Sequence, residues 1–191
     1  MFVFKYRIID LCLSFVLLLV LALSGSGIAF ADSTTGTATV NAGTLTETNA
    51  TTPAVSATLD GTDQTAPYTL VITATDATGS GSGWNLTITS TQFSTGGGTP
   101  KTLSTTASSL TGVTSACVAS TTCTNPTNAI TYPVAVPAAG TAPTAVKFFN
   151  AATNTGMGKF TVTPTVSIAI PASTYAGTYT SIITLAVVSG P

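Results

Sequence analysis

From Phe160 to Ile170 every second residue is apolar or proline: Phe160, Val162, Pro164, Val166, Ile168 and Ile170 alternate with Thr161, Thr163, Thr165 and Ser167. Successive side chains of a strand point to opposite faces, so this run has one dry face and one wet one. A helix, with 3.6 residues per turn, would scatter the same apolar side chains around its surface. Period-two spacing returns in Tyr68, Leu70, Ile72 and Ala74 against Thr69 and Thr73, and again in Trp84, Leu86 and Ile88. Beyond residue 31 no stretch keeps helical spacing over three turns, so the folded part reads as all-β, one sheet face buried and the other wet. Pro164 has no N–H for a ladder, which predicts either an edge strand or two strands joined at a bulge or bend.

Turn residues separate the runs: Asp60-Gly61, the glycine-serine loop from Gly79 to Gly83, Gly96-Gly97-Gly98, Asn125-Pro126 and Ala139-Gly140. Residues 94–127 are rich in Ser, Thr and Gly and poor in bulky apolar residues, and are expected as a long excursion off the sandwich. That excursion holds Cys117 and Cys123, which in an exported chain are expected to close a small disulfide loop, free thiols being the alternative.

Export follows from the first 31 residues. Lys5 and Arg7 precede a nearly uninterrupted aliphatic run from Leu11 to Leu23, and Ala29-Phe30-Ala31 places small residues where a signal peptidase cuts. The apolar run is short for a bilayer span, and Cys12 lies ahead of most of it, unlike a lipidation site. A secretory signal peptide over residues 1–31 and a domain over 32–191 are the expected organisation, with no membrane attachment after cleavage. Of the 191 residues, 160 remain after the 31 of the leader, enough for one domain with a core. Those 160 carry three lysines, Lys101, Lys147 and Lys159, against Asp32, Glu47, Asp60, Asp63 and Asp76, a net of −2. Nucleic acid and anionic lipid, which need clustered cations, are excluded as partners by that balance.

The sequence contains no histidine. The usual general base at neutral pH is missing, and neither a Ser-His nor a Cys-His pair can be built. A paired-carboxylate enzyme would have to draw on Asp60, Asp63 and Asp76, since Glu47 lies in a Thr-rich lead segment. Asp60-Gly61-Thr62-Asp63 reads as a turn in which Asp accepts backbone hydrogen bonds, and a calcium loop would want more oxygen donors at short spacing. No catalytic residue, metal site or cofactor is therefore expected.

Two distant motifs give the chain a family likeness. The first is Trp84-Asn85-Leu86, approached through Thr75-Asp76-Ala77-Thr78-Gly79 and Gly83; the second runs through Tyr179, Ile183, Thr184, Leu185, Val187 and Pro191. With these the chain resembles the WxL domain family of Gram-positive surface proteins, whose terminal pattern is Y-x-x-x-L-T-W-x-L-x-x-x-P. It departs in three ways. Leu185 stands where the family has its second Trp, Ile183 and Val187 replace leucines, and the approach to Gly-Trp lacks the usual Arg. These replacements keep apolar character but lose one aromatic. Pro171 to Tyr179 also looks like the tyrosine corner of immunoglobulin-like sandwiches, where the phenol bonds backbone upstream.

The expected fold is a single immunoglobulin-like β-sandwich with a disulfide-closed insertion. The resemblance implies a secreted cell-surface protein that holds non-covalently to peptidoglycan or an associated wall polymer, with another surface protein as a further partner. The sequence also shows no sorting pentapeptide or apolar tail before Pro191, which agrees with retention by binding. Two other classes stay open. A fibre subunit would pair an extended segment such as Ala38-Thr39-Val40 with a neighbour's sheet edge; a carbohydrate-active enzyme would need its scattered carboxylates to converge. Period two puts Trp84 on the face of Leu86 and Ile88, hence in the core, and leaves Tyr132, Phe148 or Phe149, and Tyr175 as aromatics for a sugar-binding surface.

Overall fold

In the computed structural model, residues 33–49 and 51–191 are described, and the leader expected over residues 1–31 lies outside them. Ten strands follow one another: β1 (Leu45–Asn49), β2 (Gln64–Thr69), β3 (Ile72–Asp76), β4 (Trp84–Thr91), β5 (Ser108–Cys117), β6 (Val134–Ala135), β7 (Ala138–Ala139), β8 (Val146–Ala151), β9 (Gly158–Ile170) and β10 (Ile183–Ser189). No helix occurs among the described residues. One sheet has the order β1-β3-β9-β5-β6, with β2 also on β9; the other is centred on β4, which pairs with β10 on one side and with β7 and β8 on the other.

The alternating run forms β9, and β9 is neither an edge nor broken. It continues for 13 residues through the middle of its sheet, paired with β5 on one flank and with β2 and β3 on the other. Both expectations for Pro164 are thus overturned, and the neighbours show why. In antiparallel pairing, hydrogen-bonded opposites exchange two bonds. Leu70 donates its N–H to the Pro164 carbonyl at 3.1 Å, and proline has no N–H to return. The ladder lapses there, and what the sequence suggests is one strand from Tyr68 to Ala74 becomes β2 and β3. Leu70, Ile72 and Ala74 are all fully buried, so the shared face survives the break. On the other flank β5 bulges between Leu110 and Gly112, leaving Thr111 unpaired opposite the Val166–Thr165 step.

Residues 94–127, expected to leave the sandwich, do so only in part. β5 lies within them and pairs with β9 from Ser108 to Cys117, and Leu103, Ala107 and Leu110 are buried. Beyond the bulge β5 faces solvent on most of its surface, so it needs few apolar side chains and resembles a loop in sequence. The Thr-rich lead segment likewise supplies a strand, β1, paired with β3 from Leu45↔Asp76 to Asn49↔Ile72. The Cys117–Cys123 disulfide is formed at the end of β5, with the two Cα atoms 6.0 Å apart.

Two sheets pack through one main core. Trp84, Leu86, Ile88, Phe148 and Phe149 from the β4 sheet meet Leu70, Ile72, Leu110, Phe160, Val162 and Val166 from the β9 sheet. A second, smaller cluster of Ala66, Leu103, Ala107 and Ile168 lies toward the far end of β9. Register fixes the long dimension: Asp76 is opposite Gly158 and Gln64 opposite Ile170, so the ends of β9 lie ~40 Å apart at ~3.3 Å per residue. Asp63, beside Gln64, and Asp76 therefore stand at opposite ends, and no carboxylate pair is assembled from them. Asp60 accepts from the Thr62 N–H at 2.9 Å, the turn role expected of it, and Asp63 accepts from the Ala172 N–H at 2.8 Å. No group of three or more Cys, Asp or Glu residues suited to a metal ion occurs among the described residues.

β1 carries one mismatch. Glu47 turns a carboxylate oxygen into the structure, where it is buried without a partner, and this desolvation raises its pKa above the ordinary 4.5. A group with a raised folded-state pKa holds its proton more tightly when folded, so its contribution is fully present below the unfolded value and is lost as pH rises through the folded one. Glu47→Gln should therefore raise the thermal midpoint at pH 7, with the gain vanishing by about pH 3, below both values. Thermal unfolding at the two pH values reads this directly, and equal midpoints at pH 7 would contradict it. Replacing Cys117 and Cys123 together by Ser should cost about 2 kcal/mol, the scale for so short a loop, measured by denaturant unfolding.

Candidate functional site

The loop entering β4 is stitched by side-chain oxygens. Asp76 accepts from the Thr78 N–H at 3.0 Å and its hydroxyl at 2.6 Å, Thr78 and Ser80 hydroxyls lie 2.9 Å apart, and Ser80 accepts from the Ser82 N–H at 3.2 Å. Gly83 closes the loop at φ +73°, and a Cβ there would collide with the Ala151 carbonyl. This delivers Trp84 inward. Its indole is fully buried and tilted against Phe149 and Phe160, with centroids 5.8 and 6.3 Å away. Its Nε1–H donates to the Gly156 carbonyl at 2.8 Å. Gly156 sits at φ +71°, where a Cβ would stand 2.8 Å from Nε1, and donates its own N–H to the Thr124 carbonyl, just past Cys123.

The second motif lies beside the first. β10 runs antiparallel to β4, with Leu185 opposite Ile88, Val187 opposite Leu86 and Ser189 opposite Trp84. Ile183, Leu185 and Val187 are half-buried against the core, whereas Thr184 is exposed. Gly190 donates to the Gly83 carbonyl at 3.0 Å and accepts from Asn85 Nδ2 at 2.7 Å, and Pro191 accepts from Lys147 Nζ at 2.7 Å. The two strand motifs thus form one patch of the β4 sheet. Tyr179 is placed elsewhere, at the far end of β9. Its hydroxyl donates to the Tyr175 carbonyl at 2.9 Å, the upstream backbone bond expected of a tyrosine corner.

Around Tyr179 the surface is hollowed. Three adjoining depressions of about 320, 560 and 450 Å³ all have Tyr179 in their walls. The first two also share Tyr175, and the second and third share Phe93. Tyr175 is 64% exposed, and Lys101 Nζ lies 4.3 Å from the centre of its ring. Backbone bonds set this pair: Ser94 bridges both Thr102 and Thr180, and Thr95 donates to the Lys101 carbonyl at 2.9 Å. The other aromatics singled out in the sequence are otherwise engaged. Phe148 and Phe149 are buried, which removes them from any ligand surface, because β8 carries Phe148 as an extra residue opposite the Leu86–Thr87 step and the alternation is disturbed there. Tyr132 is half-buried, its hydroxyl donating to the Phe148 carbonyl at 2.7 Å and accepting from Asn128 Nδ2 at 3.1 Å.

Residues 23–191 match the family model described as WxL domain, surface cell wall-binding. The chain belongs to the WxL domain family. No curated protein and no solved structure matches it. Membership places the protein at the cell surface, with the wall as what its domain binds. In this WxL domain the tryptophan of the name is interior, and so is Leu86. Sequence reasoning found Tyr175 but missed Lys101, which lies in the stretch read as an excursion. The only sequence signal for the pair was Gly96-Gly97-Gly98, a turn that lets residues 94 and 102 meet.

Trp84→Ala should destabilise the domain by about 3–5 kcal/mol, the range for emptying a fully buried aromatic site. At low temperature, where enough stays folded, wall affinity should persist. Denaturant unfolding and wall sedimentation at 4 °C, roughly the coldest practical point for keeping such a variant folded, check the two halves. A stable variant that no longer sediments would instead make the indole a contact residue.

Proposed function

We propose that this is a secreted surface protein whose WxL domain, residues 32–191, holds it non-covalently to peptidoglycan or a polymer attached to it. One observation supports the reading above the rest. The strand motifs that define the family, Trp84 and Leu86 on β4 with Ile183, Leu185 and Val187 on β10, pack as neighbouring strands of one sheet and serve to build the domain. Wall contact then belongs to the domain's exterior, where hydroxyls and a few aromatics offer what neutral or weakly charged saccharides bind. Leu185 in place of the family's second Trp keeps that role, since a half-buried leucine opposite Ile88 continues the apolar patch. The pattern of Lys5 and Arg7, an aliphatic run and Ala29-Phe30-Ala31, expected of a leader over residues 1–31, supports secretion, and a partner surface protein is compatible with the same exterior.

A second reading, a fibre subunit, draws on one feature: Ala38-Thr39-Val40 is exposed and joins no strand, with Val40 93% exposed. Sedimentation with purified wall, with and without its teichoic acids, and size-exclusion chromatography at micromolar concentration separate the two. A monomer that sediments with wall is the expected result. Concentration-dependent polymers that ignore wall would replace it with the fibre.

A further inference from the structure

We propose that the trough beneath Tyr179 is the wall-contact site and that it takes a linear acidic saccharide, with Tyr175 as the stacking platform and Lys101 as the counter-charge. The inference rests on the wall-binding reading and assigns it a place and a ligand class. Space comes first: three depressions that share Tyr179 adjoin one another, which leaves room for more than one consecutive unit of a chain. Lys101 Nζ stands over one face of the Tyr175 ring, and the phenol, 64% exposed, has its other face for a pyranose ring to cover, while Thr102, Ser104, Ser173 and Thr174 beside it supply hydroxyls for hydrogen bonds.

Charge narrows the ligand. Lys101 is the one charged residue in the three walls, and no carboxylate lines them. A single ammonium can meet one negative group at a time, and so complements a chain whose charges are spaced about one to a repeat unit. A carboxylate on a glycan and a phosphodiester on an attached polymer share this chemistry. The site is also pre-organised. The Thr95 N–H holds the Lys101 carbonyl and the Tyr179 hydroxyl holds the Tyr175 carbonyl, so little ordering of the backbone is required on binding.

The test uses the purified protein, wall sacculi with teichoic acids retained or stripped, and two variants, Tyr175→Ala and Lys101→Gln. Both side chains are exposed, and Tyr179 bonds only the backbone of residue 175, so thermal midpoints should match the parent. Tyr175→Ala should weaken sedimentation at least about tenfold, as expected of an aromatic anchor. Lys101→Gln should weaken it about fivefold and flatten its salt dependence. Binding kept on stripped wall assigns the carboxylate, binding lost on stripping assigns the phosphodiester, and either supports the proposal. Muramidase-released saccharides should compete; competition by amidase-released peptides alone would overturn it. If the parent sediments and both variants do so equally well, the trough is wrong while the wall-binding reading stands. A parent that sediments with neither wall ends that reading itself.

Discussion

A buried indole N–H must find an acceptor, because leaving it unpaired costs the full desolvation of the group, about 1–3 kcal/mol. The Gly156 carbonyl answers that demand, and much of one end of the molecule is arranged so that it can. The turn after β8 must bring residue 156 against the ring, which admits no Cβ there. The same residue's N–H is given to Thr124, which returns its own N–H to Met157, so the segment following the disulfide is drawn onto the start of β9. Gly158 continues the fit, with Cys123 so close that a side chain would crowd it. The tryptophan therefore organises β4, the β8–β9 turn and the Cys117–Cys123 loop through one hydrogen bond and the contacts around it.

Proline 164 shows the complementary case, a missing donor in the middle of a sheet. Its strand stays unbroken because half of its surface is needed for the core: Phe160, Val162, Val166 and Ile168 are all buried. The irregularity moves to partners with less to lose. The flank facing Pro164 divides into β2 and β3, where the Thr51 hydroxyl accepts the Val71 N–H at 3.1 Å, and the opposite flank absorbs an extra Thr111.

What could be read from the sequence follows from these facts. Alternation located β9, β4 and the shared face of Tyr68 to Ala74, because those strands each pack one face on the core. It missed β5 beyond its bulge and β1, whose side chains face water or lie at an edge, where packing places little demand on composition. The inward direction of Trp84 was legible from Leu86 and Ile88. The inward direction of both Phe148 and Phe149 was not, because a regular strand turns adjacent side chains to opposite faces, and nothing in Lys147-Phe148-Phe149-Asn150 announces the bulge that lets both join the core. The meeting of Lys101 with Tyr175 was hidden for another reason: it is a product of backbone bridges between distant segments, which no local pattern encodes.

The indole with its cradle and the Tyr175–Tyr179 trough occupy opposite ends of β9. Substitutions that far apart, with no shared partners, change stability almost independently. Residues lining the trough are thus free to diversify without loosening the packing that keeps the polypeptide folded, so selection can retune what is gripped while leaving the scaffold alone.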